Sequence, residues 1–460
     1  MNLEKNKILI KNASAVLTQD DTRRVLRDAD ILIEGRRISG VGAGLEAPAA
    51  EVIDAKGKTV LPGLINTHHH LYQTLTRNLK QVQDASLFDW LRFLYGIWRY
   101  IDGPAVDIST RVGAGELLLT GCTTTSDHLY LYPSGENNSF IDTEIKAAAD
   151  MGIRFHPTRG SMSLGESSGG LPPDSVIQDD TEILSESERV IREYHDDSPF
   201  SMCRIVLAPC SPFSVTAEIM SQTAELARKM GVFMHTHLAE TEDENEFCLR
   251  EKGIRPLEYM EETGWLGRDV WFAHCVHLND REIEKLAASG SGVSHCPVSN
   301  LRLGSGIAPV RKMLDAGVNV SLAVDGSASN DSSDMLGELR TAMLAARHKS
   351  GVGSMSASDV LYMATRGGAS VLGRDDIGSI EEGKAADLAI FNTDRIDFAG
   401  TGSDPVAALV FAGASHIADT VIVNGRVRVR NSALTGVDER ELTREANRVA
   451  RGLRVKAGIE

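Results

Sequence analysis

TVLPGLINTHHH (59–70) is a short run of strand-forming residues that ends abruptly in three histidines. Its apolar body predicts a buried strand. The polar groups fall at the carboxyl end, where burial is unfavourable unless they have partners or a task. Seven further runs repeat the pattern: CTTTSDH (122–128), IRFHPTRG (153–160), RIVLAPCS (204–211), VFMHTHL (232–238), VWFAHCVHL (270–278), GVSHCPVSN (292–300) and NVSLAVDGS (319–327). Segments with apolar residues at helical spacing separate them, among them DTEILSESERVIREYH (180–195), TAEIMSQTAELARKMG (216–231) and DREIEKLAASG (280–290). Strands alternating with helices predict an α/β fold on a parallel sheet, and eight such units predict a (β/α)8 TIM-like barrel. A doubly wound open sheet competes, but no G-x-G-x-x-G follows a strand. A barrel also builds its site at the carboxyl ends of its strands, where these polar residues collect.

The flanks read differently. Short alternating segments with Gly and Asn turns, such as KILIKNASAVL, ADILIEGRRISGV, ADLAIFN and DTVIVNGRVRV, signal hairpins. Each flank has too few strands to bury a face alone, so the two are expected to join. The expected organisation is a small composite β-sandwich from 1–58 and 378–435, a barrel over 59–377 and a carboxyl-terminal helix in 436–460.

Composition narrows the partners. The 460 residues carry 48 Lys and Arg against 64 Asp and Glu, a net charge of −16. A duplex nucleic acid or an anionic membrane surface calls for the opposite balance. No apolar run approaches the roughly 20 residues of a membrane helix, and the first residues lack a basic segment followed by a long apolar one. The six cysteines are scattered without C-x-x-C spacing, so neither a disulfide framework nor a zinc ribbon is expected. The expected compartment is the cytoplasm and the expected state a homo-oligomer. The apolar insert 80–105, with FDWLRFLYGIW, serves either as a pocket wall or as a subunit interface.

Several strand ends carry metal-binding chemistry. His68 and His70 are two apart on an extended strand end, so both imidazoles point the same way. Neutral imidazole is the commonest metal ligand. His69, on the opposite face, reads as structural. His237 ends the fifth strand, with His235 deeper in a core role. Glu240 follows on the turn, either as a general acid/base near a cation or as a carboxylate capping the acidic helix ETEDENEF. His274 ends the sixth strand, with His277 a weaker candidate beyond it. Asp325 ends the eighth, where a carboxylate leaving an apolar run needs a metal or water. His295, on the seventh, is either a packing residue or a support to the site. Histidines, an aspartate and water at the first, fifth, sixth and eighth strand ends suit a zinc or ferrous ion with an open position.

The motifs PGLINTHHH, HTHLAET, AHCVHL, SHCPVSNLRLGSG and VDGSASND resemble those of the amidohydrolase superfamily, in its cytosine/guanine-deaminase-like branch. The likeness runs over nearly the whole chain, including IGSIEEGKAADLAIFN. It implies one divalent metal per chain held by His68, His70, His237 and Asp325, zinc first and iron as the alternative. It further implies that His274 holds the attacking water and Glu240 shuttles its proton. Two-metal members carry a bridging carboxylated Lys at the end of the fourth strand; RIVLAPCSPF has none. The H-x-E and P-C-x-x-C spacing of the other zinc deaminases is also missing.

A narrower likeness lies in HHHLYQTLTRNL, ELLLTGCTTTSDH, TRGSMSLGE with GLPP, and LAPCSPFSVT, which resemble the 8-oxoguanine deaminases. The implied reaction is hydrolysis of 8-oxoguanine to urate and ammonia. Isoxanthopterin, guanine, cytosine or an s-triazine are alternative substrates for the same machinery, and a non-catalytic barrel scaffold is a different class of reading. Gln73 is the candidate for reading a base edge, since an amide both donates and accepts. Arg159 could bind a carbonyl oxygen, and Ser211 or Cys210 could line the fourth strand's end; ordinary rim packing is the alternative for these. Trp90, Trp98 and Tyr95 either stack on a planar ring or form the core of the insert.

Overall fold

The structure, a computed structural model, describes residues 7–135 and 139–460. Its centre is an eight-stranded parallel sheet whose strands follow chain order: β1 (Leu64–Asn66), β2 (Cys122–Leu129), β3 (Arg154–Ser161), β4 (Val206–Pro209), β5 (Phe233–Leu238), β6 (Val270–His274), β7 (Gly292–His295) and β8 (Asn319–Leu322). All eight sequence runs contribute a strand, and helices follow them around a nearly closed barrel. Bonds across the β8–β1 seam close it: the Val324 N–H donates to Asn66 Oδ1 at 2.9 Å and the Asp325 N–H to the His68 carbonyl at 3.2 Å.

The first run splits in a way its apolar pattern does not announce. Lys58–Pro62 pairs antiparallel with Leu388–Asn392 in a different sheet, and only Leu64–Asn66 enters the barrel. Pro62 has no N–H to give a central barrel strand, so the chain changes sheets there. That second sheet has seven strands, ordered Ala433–Leu434, Arg426–Arg430, Thr420–Val423, Leu388–Asn392, Lys58–Pro62, Ala15–Leu17 and Val25–Leu26. It interleaves both ends of the chain. A four-stranded sheet ordered Arg37–Gly42, Ala29–Glu34, Lys7–Ala13 and Glu51–Asp54 lies against it. Ile8, Ile10, Ile31 and Ile33 meet Val60, Leu388, Ile390 and Ile422 in a core of its own.

Three helices matter below: α1 (Leu87–Trp98) and α2 (Gly103–Leu119), both in the excursion after β1, and α3 (Phe140–Met151), which precedes β3. The last helix, Glu439–Lys456, lies along α2 and buries Ala450 and Leu453. Among the described residues no helix is long and apolar enough to cross a membrane. All six cysteines are free.

A buried ion pair ties barrel to sandwich. Arg154, at the start of β3 and fully buried, donates to both oxygens of Asp387 at 2.9 and 3.1 Å and to the Phe200 and Ser201 carbonyls. Arg154→Ala leaves the Asp387 charge without its cation, so it should lower stability by about 3–5 kcal/mol, measured by chemical denaturation. A loss under ~1 kcal/mol would show that the pair is dispensable.

Candidate active site

The carboxyl ends of the barrel strands converge because three of them turn sharply. Ala239, His274 and Asp325 adopt left-handed backbone with φ of +50°, +73° and +65°. Each such turn is unfavourable by about 1–2 kcal/mol for a residue with a Cβ. The packed barrel holds them, and the turns aim His274 and Asp325 at the axis rather than along their strands.

The hydrogen-bond network assigns the imidazole tautomers. His235 Nδ1 faces the Trp271 carbonyl at 3.0 Å and must carry a proton, so its Nε2 accepts from His68 Nδ1 at 2.7 Å. His68 Nε2 is then a lone pair, buried with no hydrogen-bond partner and 3.3 Å from Asp325 Oδ1. His70 Nδ1–H donates to the His128 carbonyl at 2.8 Å and His237 Nδ1–H to the Cys210 carbonyl at 2.6 Å. Their Nε2 atoms therefore face each other at 3.1 Å as two lone pairs. Burial pushes the pKa of His68, His70 and His237 below the ordinary imidazole range, which keeps the rings neutral. Three converging lone pairs beside a carboxylate repel one another unless a cation sits among them, and neutral nitrogens with one oxygen are the donor set a divalent metal takes. The residues present fit such an ion.

Asp325 is doubly held. Its Oδ1 accepts the Gly326 N–H at 2.6 Å, while Oδ2 accepts Ser299 Oγ–H at 2.5 Å and Ser329 Oγ–H at 3.2 Å. His274 Nδ1–H donates to Asn300 Oδ1 at 2.8 Å, leaving Nε2 turned to Glu240 Oε2 at 3.6 Å and Asp325 Oδ2 at 4.0 Å. Burial lowers the His274 pKa, yet Glu240, Asp325 and Asn300 outweigh it and bring the value above the ordinary one.

The two readings of Glu240 separate here onto two residues. The backbone N–H groups of Ala239 and Glu240 are taken by Glu244, in the first turn of the helix Glu242–Lys252, at 2.8 and 3.0 Å. Glu244 therefore does the capping, and the Glu240 side chain is free to enter the cavity. Burial, opposed by His274 and reinforced by Asp325 and Glu244, raises its pKa to about 7.

A pocket opens over the cluster, with His70, His237, Glu240, His274 and Asp325 in its floor. Leu87, Trp90, Leu91 and Tyr95 of α1 form one wall, an i, i+3, i+4, i+8 face, so the insert serves as pocket wall. Trp98 is not among the lining residues: it packs edge-on behind Trp90 and Tyr95, meets Tyr72 and donates to Thr76 Oγ1. Gln73, Cys210 and Ser211 line the cavity, and the Gln73 amide oxygen is buried with no hydrogen-bond partner. Arg159 is not among the lining residues: its guanidinium stacks on Tyr132 at 4.1 Å and donates to Gln178. The ring and the amide use that cation, so it does not reach the pocket. His69 turns onto Ser333, and His277 pairs with Glu242 and the Ser305 carbonyl.

Sequence reasoning passed over His128, whose ring stacks on His237 at 4.8 Å and joins His68, His70 and His237 in one possible metal cluster. Its place at the end of CTTTSDH is the same signal that marked the other strand ends. Asn300, Ser299 and Ser329 carried no such signal, because their role depends on which side chain they meet across the barrel.

The model of the amidohydrolase family matches residues 59–428. The 8-oxoguanine deaminase of Pseudomonas aeruginosa is 46% identical over 410 residues, 89% of this chain and 91% of that protein. The hydroxydechloroatrazine ethylaminohydrolase of Pseudomonas sp. (strain ADP) is 37% identical over 451 residues, covering 95% and 93%. Among solved structures, the atrazine chlorohydrolase of Arthrobacter aurescens TC1 complexed with zinc superposes with a TM-score of 0.93 at 37% identity, over 96% of this chain and all of that one.

Proposed function

This chain belongs to the amidohydrolase family, and on that premise we propose that it hydrolyses 8-oxoguanine to urate and ammonia. The observation that carries the reading is the floor of the cavity: three imidazole lone pairs and a carboxylate beside a protonatable Glu240, facing the aromatic wall of α1. His68, His70, His237 and Asp325 would hold one divalent cation, zinc by analogy with the zinc-bound relative and iron as the alternative. When bound, such an ion supplies a Lewis acid that brings the pKa of water from ~16 toward ~7.

The remaining chemistry belongs to the side chains. His274, its Nδ1–H committed to Asn300 and its Nε2 turned to the cavity, and Asp325 orient the attacking water and take its proton. Water oxygen adds to the ring carbon bearing the exocyclic amine as Glu240 protonates the neighbouring ring nitrogen. Proton delivery to the amine then breaks the C–N bond; ammonia leaves and a carbonyl remains. Trp90 and Tyr95 present flat apolar surface to a planar ring, and the Gln73 amide can pair with a base edge. Cys210 and Ser211 complete the rim.

The same arrangement serves isoxanthopterin, guanine, cytosine or an s-triazine, so the test is a substrate panel. Ammonia release and ultraviolet absorbance should give 8-oxoguanine the highest kcat/KM; a higher value for any other member assigns the enzyme to that ring.

Gln73 gives a finer check. A Cβ on Gly326 would stand 2.0 Å from Gln73 Oε1, so Gly326→Ala displaces that amide while keeping the Gly326 N–H that holds Asp325. Losing one buried hydrogen bond to the ring should lower kcat/KM about 10–100-fold with metal content unchanged. Unaltered kinetics would remove Gln73 from the binding set.

A further inference from the structure

A second cleft lies at the opposite end of the barrel, between the start of β3, the carboxyl end of α3 and the sandwich. It opens to solvent, with Ile153, Phe155 and Met202 as apolar walls and Arg36, Arg426 and Arg428 along its rim. The chain has 64 acidic residues against 48 basic ones, so arginines would be expected to find carboxylates. These three do not: among the described residues none of their guanidinium groups makes a hydrogen bond or an ion pair, and no Asp or Glu lines the cleft.

The arginines are brought together by the fold. Arg426 and Arg428 lie on Arg426–Arg430, where a bulge opposite Val421 and Ile422 breaks the alternation, and both line the cleft. The turn carrying Arg36 packs against the next turn, since a Cβ on Gly425 would stand 1.9 Å from the Gly35 carbonyl and 3.2 Å from Arg36 Cα. Arg428 is seated in a space made for it: a Cβ on Gly152, the left-handed residue ending α3, would lie 2.1 Å from its Cζ. Its Nε is buried without a partner. Burial, then the charge of Arg426, lowers its pKa, the mark of a cation whose desolvation is not offset. The negative end of α3 accounts for Arg428, and the Phe200 ring, 5.9 Å from the Arg36 guanidinium, faces Arg36; neither accounts for Arg426.

We propose that this cleft binds an organic anion, a carboxylate or phosphate monoester with a compact apolar body. Planar guanidinium groups match the oxygens of such a head group, and the apolar walls match its body. The site is remote from the catalytic cavity, so its ligand does not compete with substrate.

The test is calorimetric titration of the full-length protein at low salt with hexyl phosphate, hexanoate, inorganic phosphate and hexylamine. Hexyl phosphate or hexanoate should bind with a Kd of about 1 mM or tighter, inorganic phosphate more weakly and hexylamine not at all. The pair Arg36→Gln and Arg426→Gln, both exposed, should weaken binding about tenfold or more while deaminase activity stays unchanged. Arg428→Gln should do the same, and which head group binds better identifies the source. Absence of binding by both organic anions, or binding that the substitutions leave intact, overturns the proposal. So does a change of oligomeric mass in the variants, by light scattering, without probe binding, which would place a second copy of the chain against these arginines.

Discussion

Glu240→Gln lowers turnover by about 10²–10⁴-fold while the bound metal remains, the range for loss of a positioned general acid/base. The substitution is a clean one here. The backbone beside Glu240 is held by Glu244, so the turn does not depend on the Glu240 carboxylate. Glutamine keeps the shape and loses only the exchangeable proton, and the raised pKa of about 7 means that the proton is available near neutral pH. Ammonia release at saturating substrate, together with metal analysis, measures both halves. Full activity would remove Glu240 from the chemistry; loss of metal would make it a ligand instead.

Removing the metal is expected to have the larger effect, abolishing turnover and destabilising the protein together. With His70 Nε2 and His237 Nε2 3.1 Å apart and both unprotonated, the empty cluster places lone pair against lone pair beside a carboxylate. A cation present at a thousand times its Kd stabilises the native state by about 4 kcal/mol. Chelation should therefore lower the melting temperature as well as the activity, and added zinc should restore both. An apoprotein that melts at the same temperature as the metal-loaded one would rule out this cluster as the metal's site. Activity that survives chelation would overturn the metal-dependent reading.

How much of this was legible in the chain depends on distance along it. His68 and His70 share one strand end, and His237, His274 and Asp325 each close an apolar run, so a local reading reaches them. The same reading finds Glu240 but cannot divide capping from catalysis between Glu240 and Glu244, because both lie on the same turn. Trp90, Tyr95 and Trp98 are equally aromatic and lie along one side of α1; only the packing of α1 against the barrel puts two at the cavity and one behind them. Arg159 ends a barrel strand as the others do, yet Tyr132 and Gln178 take its guanidinium.

The sequence by itself determined the eight-unit barrel and the polar residues at its strand ends, because strand periodicity and polar termini are properties of neighbouring residues; the metal chemistry was implied by the resemblance of those motifs to a family. Only the tertiary structure decided that TVLPGLINTHHH divides between two sheets, that His68, His70 and His237 present lone pairs rather than protons, and that Glu244 frees Glu240. Those outcomes turn on partners far away in the chain: Leu388–Asn392 for the strand, Trp271, His128 and Cys210 for the protons. A tautomer is set by the group its other nitrogen meets, and that meeting exists only once the barrel has closed.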